Sequence, residues 1–194
     1  MLTSLNLFAQ TDKNAYDVYS TIIQEEFKLR NDTVDNLVFI NRATSGKQIS
    51  ETIQMAVESV EAIQSGQLII LSFADNINEV LRQSPEIGQL IHELKADNKD
   101  NELKKEFYLD CEYNLITRKK FEGLLKNNGL SKLKDKDSRF FGAFEFSNVA
   151  FEGDYAAVYC GLYIGRLNAV GTIVILKKEG TKWRIISRPE FWVS

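Results

Sequence analysis

A single histidine, His92, in 194 residues removes most metal and nucleophile chemistry at the outset. Transition-metal sites draw on several His or Cys ligands, and Ser–His–Asp or Cys–His pairs need an imidazole base. Here either would have to be built on His92, which stands beside Glu93 in a segment with helical spacing. The two cysteines, Cys111 and Cys160, are too far apart in sequence for a ligand pair. Each is a core thiol, or the two form one disulfide in an oxidising compartment. Only two prolines are present, which argues against a proline-rich linker. No apolar run reaches the roughly 18 residues that a helical membrane span requires. There is no Gly-x-Ser-x-Gly elbow. Thr44-Ser45-Gly46-Lys47 has the flavour of a phosphate loop but lacks its glycines and its Lys-Ser/Thr order, and reads as a turn. No metal and no cofactor is expected.

What remains is ordinary globular composition: 44% hydrophobic, 26% charged and a net charge of −3. That suffices for one sizeable core. A pI near 5.4 argues against a general nucleic-acid coat. The charge is nevertheless uneven. Residues 1–100 carry 8 Lys and Arg against 15 Asp and Glu, a net of −7, whereas residues 101–194 carry 16 against 12. The basic excess gathers in Arg118, Lys119, Lys120, Lys126, Lys132, Lys134, Lys136 and Arg139, with Glu122, Asp135 and Asp137 among them. This is either a patch for an acidic partner or a solvated face of mixed charge, and the interleaved acids favour the latter.

Residues 1–10 resemble the tail of a signal peptide or a disordered arm, with Ala9 ahead of polar Thr11-Asp12-Lys13-Asn14. Residues 11–194 then form a single domain, and the expected location is periplasmic or secreted, with the cytoplasm as the alternative. Tyr16, Tyr19, Ile23 and Phe27 make a helical stripe over about 12–29, capped by Asp12 or Asn14. Leu37-Val38-Phe39-Ile40 reads as a short buried strand. Ser50 is expected to cap a second helix to about Ile63. Leu68–Leu71 is ambiguous, and short helices are expected at about Asn76–Arg82 and Glu86–Leu94. The polar stretch Ala96–Asn101 reads as a surface loop.

The period then changes. Phe107, Leu109, Cys111, Tyr113 and Leu115 alternate with polar neighbours as a half-buried strand, and Thr117 caps a helix ending at Asn128-Gly129. Strands are expected at about 139–151, 154–165, 168–178 and 182–188, with hairpin turns at Glu152-Gly153-Asp154 and Glu179-Gly180 and a last extended piece at Phe191–Ser194. Strand 154–165 is apolar or small on both sides, so it must be covered on both. The expected class is α+β: N-terminal helices packed on a curved antiparallel sheet whose C-terminal part is a four-strand meander.

Phe146-Ser-Asn-Val-Ala-Phe151, Ala156-Ala-Val-Tyr159, Gly161, Gly165, Gly171, Lys182-Trp-Arg-Ile185 and Phe191-Trp-Val-Ser194 together resemble a group of uncharacterised, often exported bacterial α+β proteins. These share a Ser-x-Val-x-Phe strand, a glycine-bearing hairpin and a terminal Trp-aliphatic-Ser. The resemblance covers about the last 80 residues, with Ala150 where the group has glycine, and implies no activity.

Two features suggest a site. Glu145, between Ala143 and Ser147, shares its alternation with Phe141, Val149 and Phe151, where desolvation would raise its pKa. Alternatively it lies near a sheet edge or pairs with Arg166, Arg184 or Arg188. Tyr155, Tyr159 and Tyr163, separated by Ala157 and Gly161, form a ladder that either lines a groove or receives a helix. The reading is a non-catalytic binding domain that uses Tyr155, Tyr159, Tyr163, Arg166 and Trp192 toward a small molecule, glycan or protein. Nucleic acid is not the expected partner. The alternatives are a small carboxylate-based hydrolase or isomerase using Glu145 or Asp110, and an intracellular inhibitor or immunity-like module using the acidic N-terminal half.

Overall fold

The computed structural model describes residues 3–30, 36–66, 80–81, 84–126, 128–165 and 167–194, and within 3–12 only the backbone. It is an α+β fold with helices in the first part of the chain and strands in the last. Helix α1 spans Thr3–Leu29, so it begins well before Asp12. Its apolar stripe is the expected one: Tyr16, Tyr19 and Ile23 are buried, and Phe27 packs on the same core. Strand β1 (Leu37–Asn41) is buried throughout. Helix α2 spans Lys47–Gln64 and buries Ile49, Ile53, Ala56, Val57 and Val60 at helical spacing. Its N-cap is Gly46 rather than Ser50, whose backbone N–H already bonds Gly46 O. Helix α3 spans Glu86–Ala96. The ambiguous segment Leu68–Leu71 and most of 76–82 lie outside the described residues.

Strand β2 is short, Glu112–Ile116. The five apolar residues that alternate from Phe107 to Leu115 all reach the first core, but Phe107–Cys111 do so without a ladder. Thr117 caps α4 (Arg118–Leu125), its hydroxyl accepting from the backbone N–H of Lys120. Asn128 takes the left-handed conformation, at φ 57°, as the pattern suggests. It starts a further helix, α5 (Gly129–Lys136), which the sequence reading did not separate. The strands β3 (Phe140–Phe146), β4 (Ala150–Glu152), β5 (Tyr155–Gly165), β6 (Asn168–Glu179), β7 (Lys182–Ser187) and β8 (Glu190–Val193) follow. Gly153 and Gly180 supply the positive φ of the hairpin turns.

Among the described residues the sheet has eight strands, in the order β2-β1-β3-β5-β6-β7, with β4 also on β5 and β8 also on β6. The meander from β5 to β8 is antiparallel, whereas β1 runs parallel to both β2 and β3, so the whole sheet is mixed. Pro189 lies between β7 and β8, where its missing N–H ends one ladder before the next begins. One face is covered by α1 and the segment before β2. The other face is covered in two parts: α2 and α3 over β4, β5 and β6, and α4 and α5 over β1 and β3.

The expected single strand 139–151 is interrupted twice, and this reassigns its faces. Between Leu37 and Val38 the partner moves from Phe140 to Gly142, so Phe141 is an extra residue in a β-bulge. A one-residue offset reverses the side to which every later side chain points. Phe141, Phe144 and Phe146 therefore all face α1, and Ala143 and Glu145 face away. A second break follows at Ser147, whose hydroxyl accepts from Tyr159 N–H at 2.9 Å in place of a ladder carbonyl. Val149 and Phe151 again face the first core. The apolar neighbours expected for Glu145 are thus on the opposite side of the sheet.

Candidate functional site

Glu145 faces the side shared by the two helix pairs because Phe144 and Phe146 are committed to the core under α1. Its lateral neighbours follow from the register. One step past the Ile40–Phe144 pair, Asn41 falls beside it. On its other side Glu145 pairs with Gly161, Gly161 with Gly171, and Gly171 with Trp192. Laterally paired residues present their side chains on the same face. A single row therefore crosses five strands: Asn41, Glu145, Gly161, Gly171, Trp192.

The two glycines make room for the side chains at either end. A Cβ on Gly171 would lie 1.9 Å from Trp192 Nε1, so the indole lies flat on the backbone there. A Cβ on Gly161 would lie 2.7 Å from Tyr159 Oη and 2.9 Å from Glu145 Cγ. Two residues to either side of Gly161, Tyr159 and Tyr163 close over the carboxyl. Tyr163 donates to Glu145 Oε1 at 2.5 Å and Tyr159 donates to the same oxygen at 3.1 Å. The Asn41 side chain also hydrogen-bonds this carboxyl.

Burial pushes the Glu145 carboxyl above its ordinary value, opposed by the hydrogen bonds from Tyr163 and Tyr159, the positive charge of Arg118 and the hydrogen bond from Asn41. Burial and the charge of Glu145 push both tyrosine hydroxyls up, which keeps them protonated as donors. Arg118 is held by Ser45 O at 2.6 Å and Asp100 Oδ1 at 2.9 Å. Arg184 binds Glu179, and Arg188 binds the buried Glu26 of α1, so neither pairs with Glu145.

The structure treats the ladder residues differently. Tyr159 is 0% exposed and is part of the packing between sheet and helices. Tyr155, at the far end, shares a hydrogen bond with Ser84 at 3.0 Å and carries Lys177 over its ring. Tyr163 is partly exposed and lies edge-on to Phe121 of α4 at 5.4 Å, with Trp192 at 5.6 Å on its other side. Tyr163 and Trp192 therefore sit together, Tyr155 is separate, and Arg166 lies outside the described residues.

A recess of about 190 Å³ adjoins Tyr163, lined also by Leu124, Leu125, Leu130, Ala169 and Ser194. The α4–α5 junction, the end of the β5–β6 hairpin and the end of β8 meet there. The leucines could not be assigned from sequence, because α5 was not foreseen as a separate helix. A second cavity of about 360 Å³ lies beyond the carboxyl ends of β1 and β3, near Tyr16, Tyr19, Thr44, Asn101 and Asn148. Its polar groups are tied to one another. The Thr44 hydroxyl donates to Lys99 O, and the Asn148 amide to Asp97 O and Lys99 O.

Neither cysteine is in a disulfide: Cys160 is buried in the first core and Cys111 is partly buried. Among the described residues no helix is long and apolar enough to cross a membrane, and no cluster of three or more His, Cys, Asp or Glu could hold a metal ion. No known family matches this chain, and neither a curated protein nor a solved structure shows significant similarity to it.

Proposed function

We propose that this chain is a non-catalytic binding domain whose ligand seats in the recess over Tyr163. The observation that carries the reading is the dual engagement of Tyr163. Its side chain is fixed by the 2.5 Å bond to buried Glu145, while the residue also lines a surface recess walled by three leucines together with Asn128 and Ser194. A ring anchored from behind is a preorganised contact surface, which lowers the ordering cost of binding. Binding is favoured over proton transfer because the Glu145 carboxyl is already occupied by Tyr159, Tyr163 and Asn41. Of the residues chosen from sequence, Tyr163 lines this recess, Trp192 packs against its ring at 5.6 Å, and Tyr159 shares its Glu145 anchor.

Methyl-resolved NMR with indole and leucine amide as probes tests the reading. Shifts are expected at Leu124, Leu125 and Leu130, and Ala169→Leu, which fills the recess, should abolish them. Absence of shifts at these methyls overturns it. The carboxylate-enzyme alternative has one observation in its favour, the raised pKa of Glu145. It requires a hydrolytic or isomerase activity that disappears in Glu145→Gln. Export is a separate proposal, tested by sequencing the N-terminus of the chain recovered from its host.

A further inference from the structure

Granting that the recess binds, we infer that its partner is an acidic peptide segment carrying one apolar anchor residue. Volume gives the first argument. About 190 Å³ is less than the roughly 300–1,000 Å³ of small-molecule pockets, and suits a single leucine- or phenylalanine-sized side chain. The rim gives the second. Leu167 at the β5–β6 tip is 81% exposed, Val193 of β8 is 65% exposed and Leu125 of α4 is 39% exposed. Val193 pairs with Val170, and Ser194 with Ala169 of the lining, so these apolar groups adjoin the recess instead of lying scattered. Grouped exposed aliphatics mark protein contact surfaces.

Charge gives the third argument and selects the partner. Residues 118–136, the α4–α5 hairpin that forms one wall, carry seven Lys and Arg against Glu122 and Asp135. Lys119, Lys120, Lys126, Lys132, Lys134 and Lys136 are all exposed and form no salt bridge among the described residues. Lys126 directly follows Leu125. In a chain of net charge −3, this local excess is complementary to carboxylates placed around an apolar anchor. A nucleic acid fits less well. The rim is aliphatic, and Tyr163 has Phe121 and Trp192 against it, leaving no open stacking platform.

The test is selection of a random dodecapeptide library on the full chain, with Leu167→Asp and Lys126→Glu/Lys134→Glu variants alongside. All three positions are exposed, and circular dichroism confirms that the variants fold. The expected result is enrichment of peptides with Leu or Phe flanked by Asp and Glu. Their affinity should fall about tenfold with the charge reversals, fall similarly with Leu167→Asp, and weaken steeply with salt. Neutral or basic peptides that still require Leu167 overturn the acidic partner but leave the binding reading standing. No enrichment over the Leu167→Asp variant also overturns the inference, and the probe experiment then decides the binding reading separately. A single-stranded oligonucleotide that displaces the peptides and depends on the same lysines overturns it in favour of nucleic acid.

Discussion

Under α1 the sheet presents Phe141, Phe144 and Phe146, stacked nearly parallel at 6.3 and 5.9 Å, against Tyr19 and Phe27. On the opposite face of the sheet Asn41, Glu145, Gly161, Gly171 and Trp192 lie in one row between two separate helix pairs. The first face is mostly apolar, with buried Glu26 of α1 paired to Arg188, and its main contribution is burial. The second is divided by the Glu145 carboxyl and the Trp192 indole. Glu145 takes hydrogen bonds from Tyr159 and Tyr163, because a buried carboxyl left unpaired is costly, whereas Trp192 Nε1 is buried without a partner among the described residues. The recess at Tyr163 lies at the end of this divided face, whereas the larger cavity beside Tyr16 and Tyr19 of α1 has its polar groups tied to one another.

The difference can be broken from the apolar side first. Phe144→Ala removes a fully buried ring from the stack and should cost about 3–5 kcal/mol, read from the midpoint of urea unfolding. A loss below about 1 kcal/mol would show that the core under α1 repacks freely. On the divided face, Gly171→Ala places a methyl where the Trp192 indole rests and should cost about 1–3 kcal/mol. In a Trp183→Phe background, the fluorescence of Trp192 should move toward that of an exposed indole; an unchanged spectrum would mean the indole does not rest on Gly171.

The smallest effect is the most specific. Because the folded-state pKa of Glu145 is raised above its ordinary 4.5, its stabilising contribution is full below that value and is lost as pH rises through the folded pKa. Glu145→Gln should flatten thermal stability over that interval while leaving the acid side little changed. A variant as pH-dependent as the parent would remove Glu145 as the source. The same substitution in Phe144→Ala should be additive, since the two side chains lie on opposite faces.

Parts of this site were legible in the chain. The period-two spacing of Tyr155, Tyr159 and Tyr163 placed them on one face, and the turn glycines Gly153 and Gly180 marked where β5 begins and β6 ends. The apolar Phe107–Leu115 alternation correctly marked five inward residues, although only the last few form a ladder. Glu145 stood out as a candidate for desolvation, against a sheet-edge or arginine-paired position, but the neighbours that suggested it lie on the other face and its actual partners were not legible. Periodicity assumes an unbroken strand, and the bulge at Phe141 changed which face it occupies.

The sequence by itself therefore determined the α+β class, the amphipathic helices and the antiparallel meander. These depend on local spacing, turn chemistry and the need to cover apolar faces. Tertiary structure alone decided that β1 would enter parallel between β2 and β3, that Gly161 and Gly171 would align between Glu145 and Trp192, and that Tyr163 would be shared between carboxyl and recess. Those outcomes rest on strand register and on contacts between residues far apart in the chain. A single extra residue in one strand is enough to reverse them.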